Sequence, residues 1–253
     1  MRPRSELAQV AALGLIQGAT ELLPVSSSAH VAAVPALLGW DVAAWPAARR
    51  KELEVALHAG ALAALAPSLW RVRPDLRTLA LSLAPPVLAG YALERPIEEG
   101  LGGPMGLASG LLLGAAGLAA ADRAAARPRR GTPPRVALAL GVAQAAALWP
   151  GVSRTGATLA AARALGHDRA DASRLSFGVA GPVLAGATGL KAYRARHAAD
   201  RRALAAGALT AFAATAAARR LIGLERRGPW WPYAAERAAL ATAILAVRYR
   251  RAR

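Results

Sequence analysis

The 253-residue chain has no cysteine, is 55% hydrophobic but only 5% aromatic, and carries a formal net charge of +17. Disulfides and thiol chemistry are thereby excluded, and apolar residues gathered in long blocks exclude an ordinary water-soluble domain. The charge could serve nucleic acid, but the cations sit at block ends, as at Arg71, Arg73 and Arg77, at Arg127, Arg129 and Arg130, and at Arg248, Arg250, Arg251 and Arg253, so anionic membrane lipids and not nucleic acid are the expected partner.

In chain order, Arg2 and Arg4 precede an apolar stretch that Gln17 and Glu21 interrupt, with no small-residue cleavage site, so no cleavable signal is expected. Residues 6–40 have two apolar arms too short to span a bilayer, around the polar centre Leu23-Pro24-Val25-Ser26-Ser27-Ser28-Ala29-His30. Three blocks able to span follow, at about 54–70, 76–93 and 104–121. Residues 136–166 repeat the two-arm pattern around Trp149-Pro150-Gly151-Val152-Ser153-Arg154-Thr155-Gly156. Three more blocks close the chain at about 175–190, 203–218 and 234–247. Proline breaks a helix, and broken backbone at membrane depth survives only where protein or a wet cavity surrounds it. Both centres therefore predict re-entrant helix–loop–helix hairpins, with Pro-kinked spanning helices as the plainer alternative. The expected fold class is an all-α polytopic integral membrane protein with two such hairpins and about six transmembrane helices.

The two centres look like copies. Gly14-Leu15-Ile16-Gln17 matches Gly141-Val142-Ala143-Gln144, and Pro24 matches Pro150, each at an offset near half the chain length. Halves of about 1–126 and 127–253 then hold one hairpin and three spans each. Three spans carry the chain across, so the second half enters from the opposite side. That is an inverted-topology repeat, which places a site at the interface of the halves. Loop Lys and Arg divide evenly between the two sides, so charge does not orient the chain.

Ionisable groups within membrane segments default to function. The first hairpin holds Glu21 and His30 and the second Arg154, amid Ser26, Ser27, Ser28, Ser153, Thr155 and Thr158. Together they suit phosphoryl transfer. Guanidinium forks match phosphate oxygens. A helix restarting after a break offers N–H groups to an anion. A Ser hydroxyl becomes a nucleophile beside a base such as His or Glu. Gln17 and Glu21, four apart on one helix face, can hold a hard divalent cation with help from the substrate's phosphates. Plainer readings stand beside these: serines as helix caps, His30 as an interfacial residue, Glu21 and Arg154 as a structural pair. Glu54 and His58 form a further i,i+4 polar pair at the start of the first full span, divided between packing and support of the site.

At these residues the chain resembles the bacitracin-resistance undecaprenyl-diphosphatase family. The resemblance rests on Gln17-x-x-x-Glu21 with Leu23 to His30, on Pro150 to Thr158, and more weakly on Leu53-Glu54-Val55 with Gly60 and on Ser176-Phe177 to Pro182. It implies hydrolysis of undecaprenyl diphosphate to the monophosphate and inorganic phosphate, which recycles a cell-envelope lipid carrier. It also implies Mg²⁺ or Ca²⁺, a multi-pass place in the bacterial plasma membrane, and an active site on the outer side. Functional positions carried over are Gln17, Glu21, Ser27, His30, Ser153 and Arg154. Gln17 stands where an acid is usual, which removes one carboxylate from the metal site. Ala29 replaces the usual Gly and Thr155 the usual Ser.

The expected mechanism has Ser27 attack the terminal phosphorus with His30 or Glu21 as base, or Ser27 positioning a water. Arg154, Ser153, Ser26 and Thr155 hold the phosphate, and Glu21 with Gln17 holds the cation. A homodimer is compatible with this reading. The rival function is a transporter or flippase of an anionic polyprenyl lipid, since inverted repeats and broken helices are transporter features. An acid-phosphatase-type enzyme would need Lys and His motifs that the chain lacks.

Overall fold

The computed structural model describes residues 5–72, 74–124, 131–194, 201–219 and 228–251. Among them the regular structure is helical throughout. Helix α1 (Glu6–Thr20) starts where Ser5 accepts a hydrogen bond from Ala8 N, and breaks before Pro24. Helix α2 (Ser27–Leu38) ends on Gly39 at φ +65°. A 3₁₀ turn at Asp41–Ala44 leads into α3 (Ala47–Arg71). Helix α4 (Leu76–Leu101) is capped by Asp75, whose carboxylate accepts from Thr78 N at 3.0 Å and Thr78 Oγ1 at 2.8 Å. Helix α5 (Pro104–Asp122) completes the first half. The second half repeats the series with α6 (Pro134–Ala146), α7 (Arg154–Ala164), α8 (Arg169–Arg194), α9 (Arg201–Ala218) and α10 (Trp231–Arg251). The boundary between halves, placed at residues 126 and 127 from the sequence, lies outside the described residues.

Among the described residues, three helices are long and apolar enough to cross a membrane by length and composition: Ala47–Arg71, Leu76–Leu93 and Pro104–Asp122. Blocks 175–190, 203–218 and 234–247 also form helices, of 26, 18 and 21 residues, at least about 27 Å long at about 1.5 Å per residue. They are less apolar because they are built of Ala and carry charge, including Glu236 and Arg237 within α10. Large apolar side chains such as Leu76, Tyr91, Leu113 and Leu209 lie exposed on the outside of the bundle, where lipid is the natural solvent. This is a polytopic membrane protein.

Packing follows the repeat. The first hairpin arm α1 packs on α9, and the matching arm α6 packs on α4; α10 packs along α5 at the seam between halves. Small residues permit the close approach: a Cβ on Gly14 or Gly18 would run into the backbone of α9 at Gly207 and Ala211, and one on Gly141 would crowd Leu81 and Pro85 of α4. Helix ends show the direction of each run. Asp122, the last residue of α5, accepts from Arg169 Nε at 2.7 Å and from Trp230 N at 2.9 Å. The end of α5 and the starts of α8 and α10 thus share one face of the molecule. Arg219, just past α9, donates to Ala64 O in the second half of α3 at 2.9 Å. With α3, α4 and α5 each crossing, the first hairpin enters from the face where α3 begins and the second from the face where α3 ends.

Candidate active site

Each hairpin turns at a serine held in left-handed backbone, Ser26 at φ 69° and Ser153 at φ 62°. These are the two non-glycine residues with positive φ among the described residues, and they are 127 positions apart. A non-glycine residue there is strained, and each immediately precedes a second arm, α2 or α7. The first N–H groups of those arms have no intrahelical partner and face the same region, because residues 26–28 and 153–155 line one cavity of about 460 Å³.

Four side chains interlock at that cavity. Ser27 Oγ donates to Glu21 Oε2 at 2.8 Å, and Gln17 Nε2 donates to the same oxygen at 2.7 Å. Arg154 Nη2, from the other hairpin, donates to Glu21 Oε1 at 3.2 Å. The Glu21 side chain is 4% exposed and that of Arg154 20%, and the ion pair bridges the two halves. Arg154 Nε is buried without a hydrogen-bond partner, and so is Gln17 Oε1. Buried polar groups are normally satisfied; here an orphan donor and an orphan oxygen lie beside one carboxylate.

A further tie between the hairpins comes from α10. Arg237, fully buried, donates from Nη2 to Gly151 O at 2.9 Å and Val152 O at 2.7 Å, and from Nη1 to Pro24 O at 3.5 Å. One guanidinium thereby ties the carbonyls of both hairpin tips together. Gly114 of α5 makes room for it, since a Cβ there would overlap the guanidinium. The neighbouring Glu236 reaches His30: Nε2 lies 2.8 Å from Glu236 Oε1, while Nδ1 lies 2.9 Å from Ser26 O.

A model of the bacitracin resistance protein BacA family matches residues 10–243. The chain belongs to this family. Among its relatives, a Geobacter sulfurreducens protein named undecaprenyl-diphosphatase is 39% identical over 74% of this chain and 76% of its own. One from Rhodospirillum rubrum, undecaprenyl-diphosphatase 1, is 35% identical over 96% and 95%. Another undecaprenyl-diphosphatase, from Nitratidesulfovibrio vulgaris, is 33% identical over 95% and 97%.

The positions that the resemblance to this family singles out are partly gathered and partly separated. Glu21, Ser27, Ser153 and Arg154 line the cavity, with Ser26, Ser28 and Thr155, and Gln17 is completely buried behind them. Ser153 also caps α7, its Oγ accepting from Gly156 N at 3.2 Å. His30 is set apart: it does not line the cavity and faces α10 instead of Glu21. Thr158 bonds Ser176 Oγ at 2.6 Å, away from the cavity. Glu54 and His58 do reach the cavity wall. Ala29 sits inside α2, fully buried, and needs no unusual backbone; the left-handed residue is Ser26 three positions earlier. Glu236 and Arg237 were not singled out by sequence, though a charged pair inside a span was signal enough to nominate them.

The oxygen donors suit a hard cation in part. Among the described residues no group of three or more His, Asp or Glu could hold a metal alone. Glu21 and the orphan Gln17 Oε1 leave most of the shell to other oxygens, a sharing that Mg²⁺ accepts when phosphates supply the remainder.

Proposed function

We propose that this chain hydrolyses undecaprenyl diphosphate to undecaprenyl phosphate and inorganic phosphate at the Ser27 cavity. The observation that carries the reading is the Ser27–Glu21–Arg154 chain of hydrogen bonds, which joins a hydroxyl, a carboxylate and a guanidinium at two facing helix N-termini. The names of the relatives agree with it, and they speak against the transporter reading.

Glu21 is the base. Its Oε2 already accepts a hydrogen bond from the Ser27 hydroxyl. His30 is unsuited, because both its ring nitrogens face acceptors, a carbonyl and a carboxylate. Satisfying both requires a proton on Nδ1 and a second one shared between Nε2 and Glu236, which leaves no ring lone pair for Ser27. As Ser27 Oγ bonds the terminal phosphorus, its proton passes to Glu21 and the phosphorus–oxygen anhydride bond breaks. Undecaprenyl phosphate departs, leaving phosphoserine. Glu21 gives that proton up to the departing lipid phosphate; ionised again, it takes a proton from water, whose oxygen attacks the phosphoserine phosphorus, and returns it to Ser27 Oγ as inorganic phosphate leaves. Arg154, through Nε and the donors it can withdraw from Glu21, holds the phosphate oxygens together with the free N–H groups of α2 and α7. Ser26, Ser153 and Thr155 complete that cradle. A divalent cation, Mg²⁺ or Ca²⁺, on Glu21 and Gln17 would neutralise diphosphate charge. The prenyl tail would lie along the lipid-facing helices of a bacterial plasma membrane protein, with the cavity open to the outer side; a homodimer is compatible with this arrangement.

The test is phosphate release from undecaprenyl diphosphate by purified protein in detergent, with and without chelator. Transport alone releases no phosphate. Phosphoserine trapped at Ser27 supports the covalent route, and near-normal turnover in Ser27→Ala would overturn it.

A further inference from the structure

A second cavity, of about 630 Å³, lies on the other side of the Glu21–Arg154 pair. Glu21, Arg154, Thr155 and Leu184 belong to the walls of both cavities. Their remaining walls come from opposite ends of the same helices. Helix α3 gives Glu54 and His58 to the Ser27 cavity but Ser68 and Arg71 to the second. The rise from Glu54 to Arg71 is roughly 25 Å at about 1.5 Å per residue, so the two cavities face opposite surfaces of the molecule. Helix α8 is divided in the same way, with Ala187 and Thr188 on one side and Ser173 and Ser176 on the other.

Their charges differ. The Ser27 cavity has two carboxylates, Glu21 and Glu54, against Arg154. The second cavity has three guanidiniums, Arg71, Arg154 and Arg219, against Glu21 alone. It also holds hydroxyls, and Ser173 Oγ is buried without a hydrogen-bond partner. Guanidiniums and an unpartnered hydroxyl lining one partly enclosed space can recognise a phosphate oxyanion. We propose that this cavity is a second anion site, which binds a phosphate group as orthophosphate or as the headgroup of a lipid monophosphate. Arg154 is common to both sites, so phosphate released beside Ser27 has a more cationic place to go within reach of the same guanidinium. This last step, and only it, rests on the hydrolytic reading of the Ser27 cavity.

The experiment uses full-length protein in detergent carrying Ser27→Ala, so that binding is read without turnover. Radiolabelled orthophosphate and farnesyl phosphate are the probes. Arg71→Gln with Arg219→Gln is expected to weaken orthophosphate binding at least tenfold, and Arg71→Lys with Arg219→Lys to restore most of it. In a chain with Ser27 intact, the Gln pair should keep phosphate release within about threefold and relieve inhibition by added orthophosphate. Weakened binding of farnesyl phosphate alone would assign the site to a lipid headgroup and still uphold it. Unchanged binding of both probes, in Gln and Ser173→Ala variants that stay monodisperse with the parent melting temperature, would overturn the proposal. The arginines would then serve the membrane interface alone. Because binding is measured without Ser27, a failed hydrolysis assay leaves this result standing, and the reverse holds too.

Discussion

The two hairpins are built alike and equipped differently. Each has an apolar arm with a buried glutamine, Gln17 or Gln144, then a proline, then a serine in left-handed backbone before the second arm. In the first hairpin the glutamine turns to chemistry, donating to Glu21 beside Ser27. In the second, Gln144 Nε2 donates to Ser82 O at 3.0 Å and serves packing between α6 and α4. The first tip carries the groups that give and take a proton. The second carries Arg154, which can only donate. A duplicated backbone device thus supplies two helix N-termini at one cavity, and in the proposed mechanism divergent side chains divide the labour between attack and binding.

If that division is right, damage to the first tip should cost most. Glu21→Gln keeps the shape and removes the base, so phosphate release from undecaprenyl diphosphate should fall by about 10³ or more, in line with general-base losses and with the ion pair also broken. The fall should lie in kcat. An Arg154→Lys change keeps charge but not the fork, and should cost about 10²-fold with a rise in KM. A kcat-only loss in Arg154→Lys would erase the distinction between attacking and binding hairpins.

The next effect tests what holds the hairpins together. Arg237→Met removes the guanidinium that bonds Pro24 O, Gly151 O and Val152 O. Carbonyls stranded without a charged donor cost about 3 kcal/mol or more between them, so the melting temperature should drop clearly and activity should fall about 10-fold to 100-fold. Activity lost without a stability change would mean that Arg237 acts on substrate, not on the tips. Glu236→Gln is milder. A neutral amide cannot balance an imidazolium; the ring keeps its one proton on Nδ1 for Ser26 O and accepts at Nε2 from the new amide N–H, so turnover should fall roughly threefold to tenfold. Nitrogen NMR of labelled histidine should show the His30 ring holding two protons in the parent chain and one in the variant. One proton in both would restore His30 as a candidate base.

Much of this arrangement was legible beforehand because its physical causes are local. Proline and polar residues inside apolar arms forced broken helices, and neutral Gln17 with charged Glu21 and Arg154 marked where in those arms to look. The breaks at 21–26 and 147–153 overlap the predicted centres at 23–30 and 149–156, but begin two residues earlier, and residues 27–30 and 154–156 already belong to the second arms. Helix ends were less legible. Block 76–93 continues as helix to Leu101 despite Pro96, and α3 begins at Ala47 rather than 54, because a helix leaving the membrane need not stop where its hydropathy does. The 3₁₀ turn at Asp41–Ala44 is fixed from afar by Gln9, which donates to Asp41 Oδ2 at 2.8 Å, and no local pattern announces it. His30 shows the limit most clearly. Its place in the first motif suggested a base for Ser27, yet its side-chain partner comes from α10, 206 positions away.

The smallest effects bear on the backbone device itself. Ser26 and Ser153 share a strained φ, but their hydroxyls differ: Ser153 Oγ caps Gly156 N, whereas Ser26 makes no side-chain cap and has Ser28 Oγ at 3.5 Å. Glycine at either position accepts the left-handed backbone without a Cβ penalty. Ser26→Gly should therefore leave stability unchanged or raise it by about 0.5 kcal/mol, while Ser153→Gly gains the same relief and loses part of a cap, for a net change near zero. Ser153→Ala loses the cap with no relief and should cost about 1 kcal/mol, against little for Ser26→Ala. Thermal unfolding of the four variants in one detergent would measure the differences. Equal costs for the two alanine variants would show that the two serines hold their turns in the same way, and the asymmetry between the hairpins would then begin only beyond the turn.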